Sequence, residues 1–112
     1  EESQSEGSAK PFLERLEGVL EARKSSTGDK SYTRSLFDGG APKIGSKIIE
    51  EAGETVEALT RETDDRLRSE VADLLYHVLV GLRHRNLDFR GVLSVLASRL
   101  GIGGHVEKAS RR

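Results

Sequence analysis

The segment Val71–Leu82, VADLLYHVLVGL, constrains the fold more than any other part of the chain. It is apolar nearly all round at helical spacing, which predicts a buried helix rather than one lying on a surface. Its polar exceptions are Asp73 and His77, with Glu70 and His84 just outside it. At about 100° per residue, Glu70, His77 and His84 all fall within roughly 60° of Asp73, one polar line on a hydrophobic cylinder. A buried carboxylate is costly unless something pairs with it, so this line predicts a partner on a neighbouring element.

The rest of the chain reads as helices joined by short connections. A length of 112 residues sets one domain with a single core. The opening EESQSEGSAK, residues 1–10, is polar and is expected to be a mobile tail. A first helix is predicted from Pro11, with Phe12, Leu13, Leu16, Val19 and Leu20 on one face. KSSTGDKS breaks it, and YTRSLFDGGAPK reads as a connection holding at most a short helical turn. A second helix is predicted from about Lys43 to Glu62, with Ile44, Ile48, Ala52, Val56 and Leu59 as its apolar stripe. Thr63 or Asp64 would cap a third, from about Asp65 to His84. Asp88 would cap a fourth, ending near Leu100 before Gly101, Gly103 and Gly104. The domain is thus expected over residues 11–104, followed by a short basic tail, HVEKASRR, at 105–112. No segment alternates as a strand does, so the fold class is all-α with four main helices.

Composition removes several kinds of chemistry. Lys plus Arg number 18 and Asp plus Glu 19, which leaves no basic field to attract nucleic acid. The absence of Cys excludes disulfides, zinc–thiolate sites and a cysteine nucleophile. No apolar run is long enough to span a bilayer and no stretch reads as a signal peptide, so a cytoplasmic location is expected.

A second acidic group stands on the preceding helix. KIIEEAGETVEAL places Glu50, Glu51, Glu54 and Glu57 within eight residues, although like charges at i, i+3 and i+4 repel. With Glu51 at zero, Glu54 lies near −60°, Lys47 near −40° and Glu50 near −100°, while the apolar stripe covers about +20° to +160°. The acids therefore border the core-facing side, and Glu57, near −120°, points further out. Two helices facing each other would set Glu51-x-x-Glu54 against Glu70-x-x-Asp73, with a cation between. An all-oxygen set favours Mg²⁺, with Mn²⁺ as the alternative ion. Lys47, one turn before Glu51, would meet a phosphate oxygen, and metal plus lysine points to hydrolysis of a phosphate ester or anhydride. A di-iron bundle would want Glu-x-x-His on two helices, which this chain lacks.

Each feature also has an ordinary reading. The glutamate run alone fits a solvated helix face. Glu70 fits a first-turn dipole partner, and Asp73 a hydrogen bond between helices. His77 fits a satisfied core histidine better than a metal ligand, and Tyr76 a packing residue. Lys43 and Arg34 fit surface charges, and Ser31 a turn residue.

The pair ExxE followed by ExxD resembles the signature of the MazG-like all-α nucleotide pyrophosphohydrolases. LERLEGVLEARK, SYTRSLFDGG, KIIEEAGETVEA, EVADLLYHVLVGL and EKASRR, in that order, narrow the likeness to the phosphoribosyl-ATP pyrophosphatase family across roughly residues 12–112. That resemblance implies a helical bundle completed by homodimerisation. It also implies Mg²⁺-dependent hydrolysis of phosphoribosyl-ATP to phosphoribosyl-AMP and pyrophosphate, the second step of histidine biosynthesis. Carried onto this sequence, the metal acids would be Glu51, Glu54, Glu70 and Asp73, and the catalytic groups Glu50, Glu54 and Lys47. Lys47, Lys43, Arg34, Ser31, Tyr32, Thr33 and His77 would lie on the substrate side. Two other readings stay open: a MazG-like enzyme acting on other (deoxy)nucleoside triphosphates, and a non-catalytic helical dimerisation module.

Overall fold

Helix α1 spans Ala9–Ser25 in the computed structural model, which describes residues 9–28 and 30–101. The expected polar tail up to residue 8 and the basic tail at 105–112 lie outside the described residues. α1 starts two residues before Pro11, which sits in the first turn where its missing N–H is no loss. Leu20 is its buried anchor, Leu13 and Leu16 pack beside the core, and Phe12 and Val19 stay exposed.

The stretch expected as a connection is helical instead. α2 runs Tyr32–Arg61, with one non-helical residue inside it, Gly40 (φ 69°, ψ −165°). The positive φ is open to glycine and strained for other residues, so the GG pair bends the helix rather than ending it. Pro42 falls in the first turn after the bend, where proline is tolerated. The segment before the bend is nucleated by Ser31, whose side chain accepts a hydrogen bond from the Arg34 N–H at 3.1 Å. It is held by Leu36, which is wholly buried, and by Phe37 packed against the core.

α3 spans Asp64–His84 and α4 Phe89–Arg99. Thr63 and Asp88 are the N-caps, accepting from the Arg66 and Gly91 N–H groups at 3.2 Å each. The two-residue link between α2 and α3 makes them an antiparallel pair, the most extensive helix contact in the chain. Gly81 of α3 lies against Ile44 and Ile48 of α2, where an added Cβ would meet Ile44 Cγ2 at an ordinary contact distance of 3.4 Å. Beyond α3, Asn86 adopts φ 63° and the chain turns. Lys24 Nζ from α1 donates to the Arg83 carbonyl (2.8 Å) and Asn86 Oδ1 (2.6 Å), which ties that turn to α1. Glu17 Oε2 accepts from the Phe89 N–H at 2.7 Å, fixing the start of α4.

The core is Leu20 from α1, Leu36 and Ile44 from α2, and Leu79 and Val80 from α3. Two sequence expectations are corrected here. The α2 stripe divides lengthwise: Ile44, Ile48, Glu51, Thr55 and Ala58 form the buried or half-buried line, and Val56 and Leu59 are 59% and 66% exposed. Glu51 thus sits within the packed face rather than beside it. α3 is not buried all round either, because Val71 and Leu75 are exposed. Among the described residues, no helix is long and apolar enough to cross a membrane.

Candidate active site

The packed line of α2 carries Glu51 into the seam with α3, and the polar line of α3 brings Glu70 and Asp73 to meet it. Carboxylate oxygens of Glu51, Glu70 and Asp73 lie within 4.8 Å of one another, and those of Glu50, Glu51 and Glu54 do likewise. Glu51 belongs to both triads. It is 8% exposed and Glu70 is 3% exposed, whereas Glu50, Glu54 and Asp73 are open to solvent.

The buried members explain what the cluster needs. Glu51 Oε1 and Glu70 Oε1 are both shut off from solvent with no hydrogen-bond partner. Glu70 is pushed above the usual carboxylate range, first by burial and then by a hydrogen bond with Glu54, with Arg66 opposing. Two orphaned carboxylate oxygens on facing helices fit a hard divalent cation, which would neutralise the cluster and satisfy both atoms. Thr55 stands between the two ligand-bearing turns: its hydroxyl is 2.8 Å from the Glu51 carbonyl and 3.3 Å from that of Glu70.

An open cavity of about 370 Å³ adjoins the cluster. Glu50, Gly53 and Glu54 line it from α2, Arg66 and Glu70 from α3, with Glu57 and Glu62 completing the wall. Glu57, expected to be a plain surface glutamate, pairs with Arg61 at 3.2 Å and also belongs to that wall.

The basic residues divide between two places. Lys47 Nζ lies 3.1 Å from Glu50 Oε1, and that hydrogen bond holds its ammonium above the usual lysine range. Lys43 reaches Ser35 Oγ at 3.4 Å. Arg34 turns the other way, its Nε on Asp38 Oδ1 (2.9 Å) and its other arm toward the Arg23 carbonyl of α1.

The start of α2 folds back over α3 through side-chain pairs. Tyr32 Oη lies 2.8 Å from His77 Nε2, and Thr33 Oγ1 bonds the Tyr76 hydroxyl. His77 Nδ1 lies 2.7 Å from the Asp73 carbonyl. A carbonyl only accepts, so Nδ1 carries a proton, and Nε2 shares a hydrogen bond with the Tyr32 hydroxyl. Both nitrogens of this buried histidine are therefore occupied. The Tyr32 hydroxyl is itself raised above its ordinary pKa, chiefly by burial. Tyr32 and Thr33 thus join the first turn of α2 to the Asp73-bearing turn of α3, while Ser31 caps α2 itself.

Arg66 and Thr55 were not singled out from sequence. Arg66 lies at i−4 from Glu70, a spacing that signals an ion pair, but it reads as a surface charge until the α2–α3 pairing is known. Thr55 lies at i+4 from Glu51 and reads as an ordinary helix residue.

The chain matches the profile of the family described as phosphoribosyl-ATP pyrophosphohydrolase over residues 13–99. It is 43% identical over 99 residues to a phosphoribosyl-ATP pyrophosphatase of Cereibacter sphaeroides, covering 88% of this chain and 96% of the relative. A protein of the same name from Zymomonas mobilis is 42% identical over 96 residues, covering 86% and 90%. One from Vesicomyosocius okutanii is 40% identical over 100 residues, covering 89% and 95%.

Proposed function

Because this chain belongs to the phosphoribosyl-ATP pyrophosphohydrolase family, we propose that it hydrolyses phosphoribosyl-ATP to phosphoribosyl-AMP and pyrophosphate, a step of histidine biosynthesis. The observation that carries the reading is the pair of orphaned carboxylate oxygens, Glu51 Oε1 and Glu70 Oε1, on facing helices. Glu51, Glu54, Glu70 and Asp73 would hold Mg²⁺, with Mn²⁺ able to replace it. Bound there, the ion would supply Lewis-acid neutralisation of the substrate phosphates.

The protein's own groups do the remaining work. Glu50 and Glu54, exposed at the cavity, are the carboxylates available to orient the attacking water and take its proton. The water oxygen forms a new P–O bond, the bond to the bridging oxygen between the α and β phosphates breaks, and pyrophosphate departs. Lys47, held on Glu50 and still able to donate, offsets the charge on the departing group. The pairs Tyr32–His77 and Thr33–Tyr76 tie the start of α2 to the turn of α3 that carries Asp73.

The same reading extends to a homodimer in the cytoplasm. Ile49, Ala52, Val56 and Leu59 repeat at i, i+3, i+7 and i+10, the spacing of a helix–helix seam, and Ile49 is 75% exposed. Val71 and Leu75 of α3 are exposed as well. A second copy packed on this face would bury it next to the acids.

Pyrophosphate release measured on phosphoribosyl-ATP beside a panel of nucleoside triphosphates tests the substrate. A preference of at least about tenfold in kcat/KM for phosphoribosyl-ATP is expected; equal or faster turnover of another triphosphate would assign the site to that nucleotide instead.

A further inference from the structure

Arg66, Glu70, Asp73 and His77 fall on one line of α3, and Arg66 is the member that nothing in the reaction above employs. Its NH2 bonds Glu70 Oε2, while its Nε lies 3.3 Å from Glu62 Oε1. The guanidinium therefore spans two carboxylates, one at the end of α2 and one in the cluster. Glu70 is the deepest acid of the set, and Arg66 occupies only one of its oxygens. The other, Oε1, is the buried atom left without a partner beside Glu51. A guanidinium anchored on Glu62 by one nitrogen and bonded to Glu70 Oε2 by another holds that oxygen to one side and leaves Oε1 as the atom turned to the cluster.

We propose that Arg66 is a positioning residue: steadied by Glu62, it grips Glu70 Oε2 so that Oε1 faces the cation held with Glu51 and Asp73. The proposal rests on the cation reading above and adds a layer behind the ligands. Carboxylate ligands are commonly oriented in this way, and removing the orienting partner typically lowers metal affinity about 10–100-fold.

Titration of the metal-stripped full-length protein with Mn²⁺, followed by calorimetry, tests it without reference to turnover. Arg66→Ala should weaken Mn²⁺ binding at least about tenfold. Arg66→Lys should recover part of that loss, because the charge returns without the two-carboxylate span. Glu62→Ala should cost less than Arg66→Ala, since the grip on Glu70 remains. Melting temperatures of the metal-free variants separate affinity from folding; a loss of affinity that tracks unfolding, with no recovery in Arg66→Lys, overturns the positioning role. Unchanged Mn²⁺ affinity in Arg66→Ala overturns it as well. Tighter binding would overturn it by showing the guanidinium to compete with the ion. Absence of Mn²⁺ binding by the wild-type protein would overturn the cation reading itself, a result distinct from all of these.

Discussion

Glu51 of α2 and Glu70 of α3 face each other across the seam between these helices, each with one carboxylate oxygen buried and unpartnered. Burial holds the Glu70 carboxyl above its ordinary range, and a cation between the two acids would satisfy both orphaned oxygens. The Thr55 hydroxyl lies between the two backbones at this meeting, near the carbonyls of both Glu51 and Glu70.

Glu51→Gln keeps the shape of the side chain and removes its charge. Turnover of phosphoribosyl-ATP is expected to fall at least about 100-fold, since a ligand to the ion is worth several kcal/mol in the transition state. Helical content by circular dichroism should be unchanged. Wild-type turnover in this variant would place the chemistry elsewhere.

Glu70 gives the metal-free protein a pH signature. Its folded pKa is raised, so the folded state binds more protons than the unfolded one between the two values. Stability from this group is present at low pH and is lost as pH climbs from the ordinary carboxylate range through the raised folded value. In EDTA, Glu70→Gln should therefore gain in melting temperature relative to wild type as pH rises to neutrality. Adding Mg²⁺ should reverse the ranking. A difference between the two proteins that does not vary with pH would contradict the shift.

Gly40 bends α2 with a backbone conformation that side chains disfavour. Gly40→Ala is expected to cost about 1–3 kcal/mol, read as a fall in denaturation midpoint. The strain would fall on the segment that carries Tyr32 and Thr33, so the KM for phosphoribosyl-ATP should also rise. Unaltered stability would mean that the bend does not need glycine.

The exposed seam on α2 predicts the oligomer. The wild-type chain should sediment at twice its mass, and the double variant Val56→Glu, Leu59→Glu should sediment as a single chain because charges cannot be buried in an apolar interface unpaired. A monomeric wild type would leave the apolar face without its proposed occupant.

The starts of α3 and α4 are legible in the sequence because periodicity and caps agree: Thr63, one of the two caps the sequence offers, starts α3, and Asp88 starts α4. The convergence of Glu51 with Glu70 and Asp73 was legible too, since helical spacing alone puts each set on one line. The helix at residues 32–39 was not, because Gly39, Gly40 and Pro42 carry the local signal of a connection and only tertiary burial of Leu36 overrides it. The division of the α2 stripe was hidden for another reason. An apolar residue facing its own core and one facing outward look alike in a sequence, so Val56 and Leu59 were placed with Ile44. Arg66 escaped notice because its partner, Glu70, is at ordinary ion-pair spacing, and only the burial of Glu70 gives the pair a consequence.

The central claim is that a divalent cation between α2 and α3 drives phosphoanhydride hydrolysis. Pyrophosphate release from phosphoribosyl-ATP, followed as Mg²⁺ is added back to EDTA-stripped wild-type protein, tests it most directly. No release before addition and a saturable rise with Mg²⁺ is the predicted result; full turnover by the stripped protein in excess EDTA would contradict it.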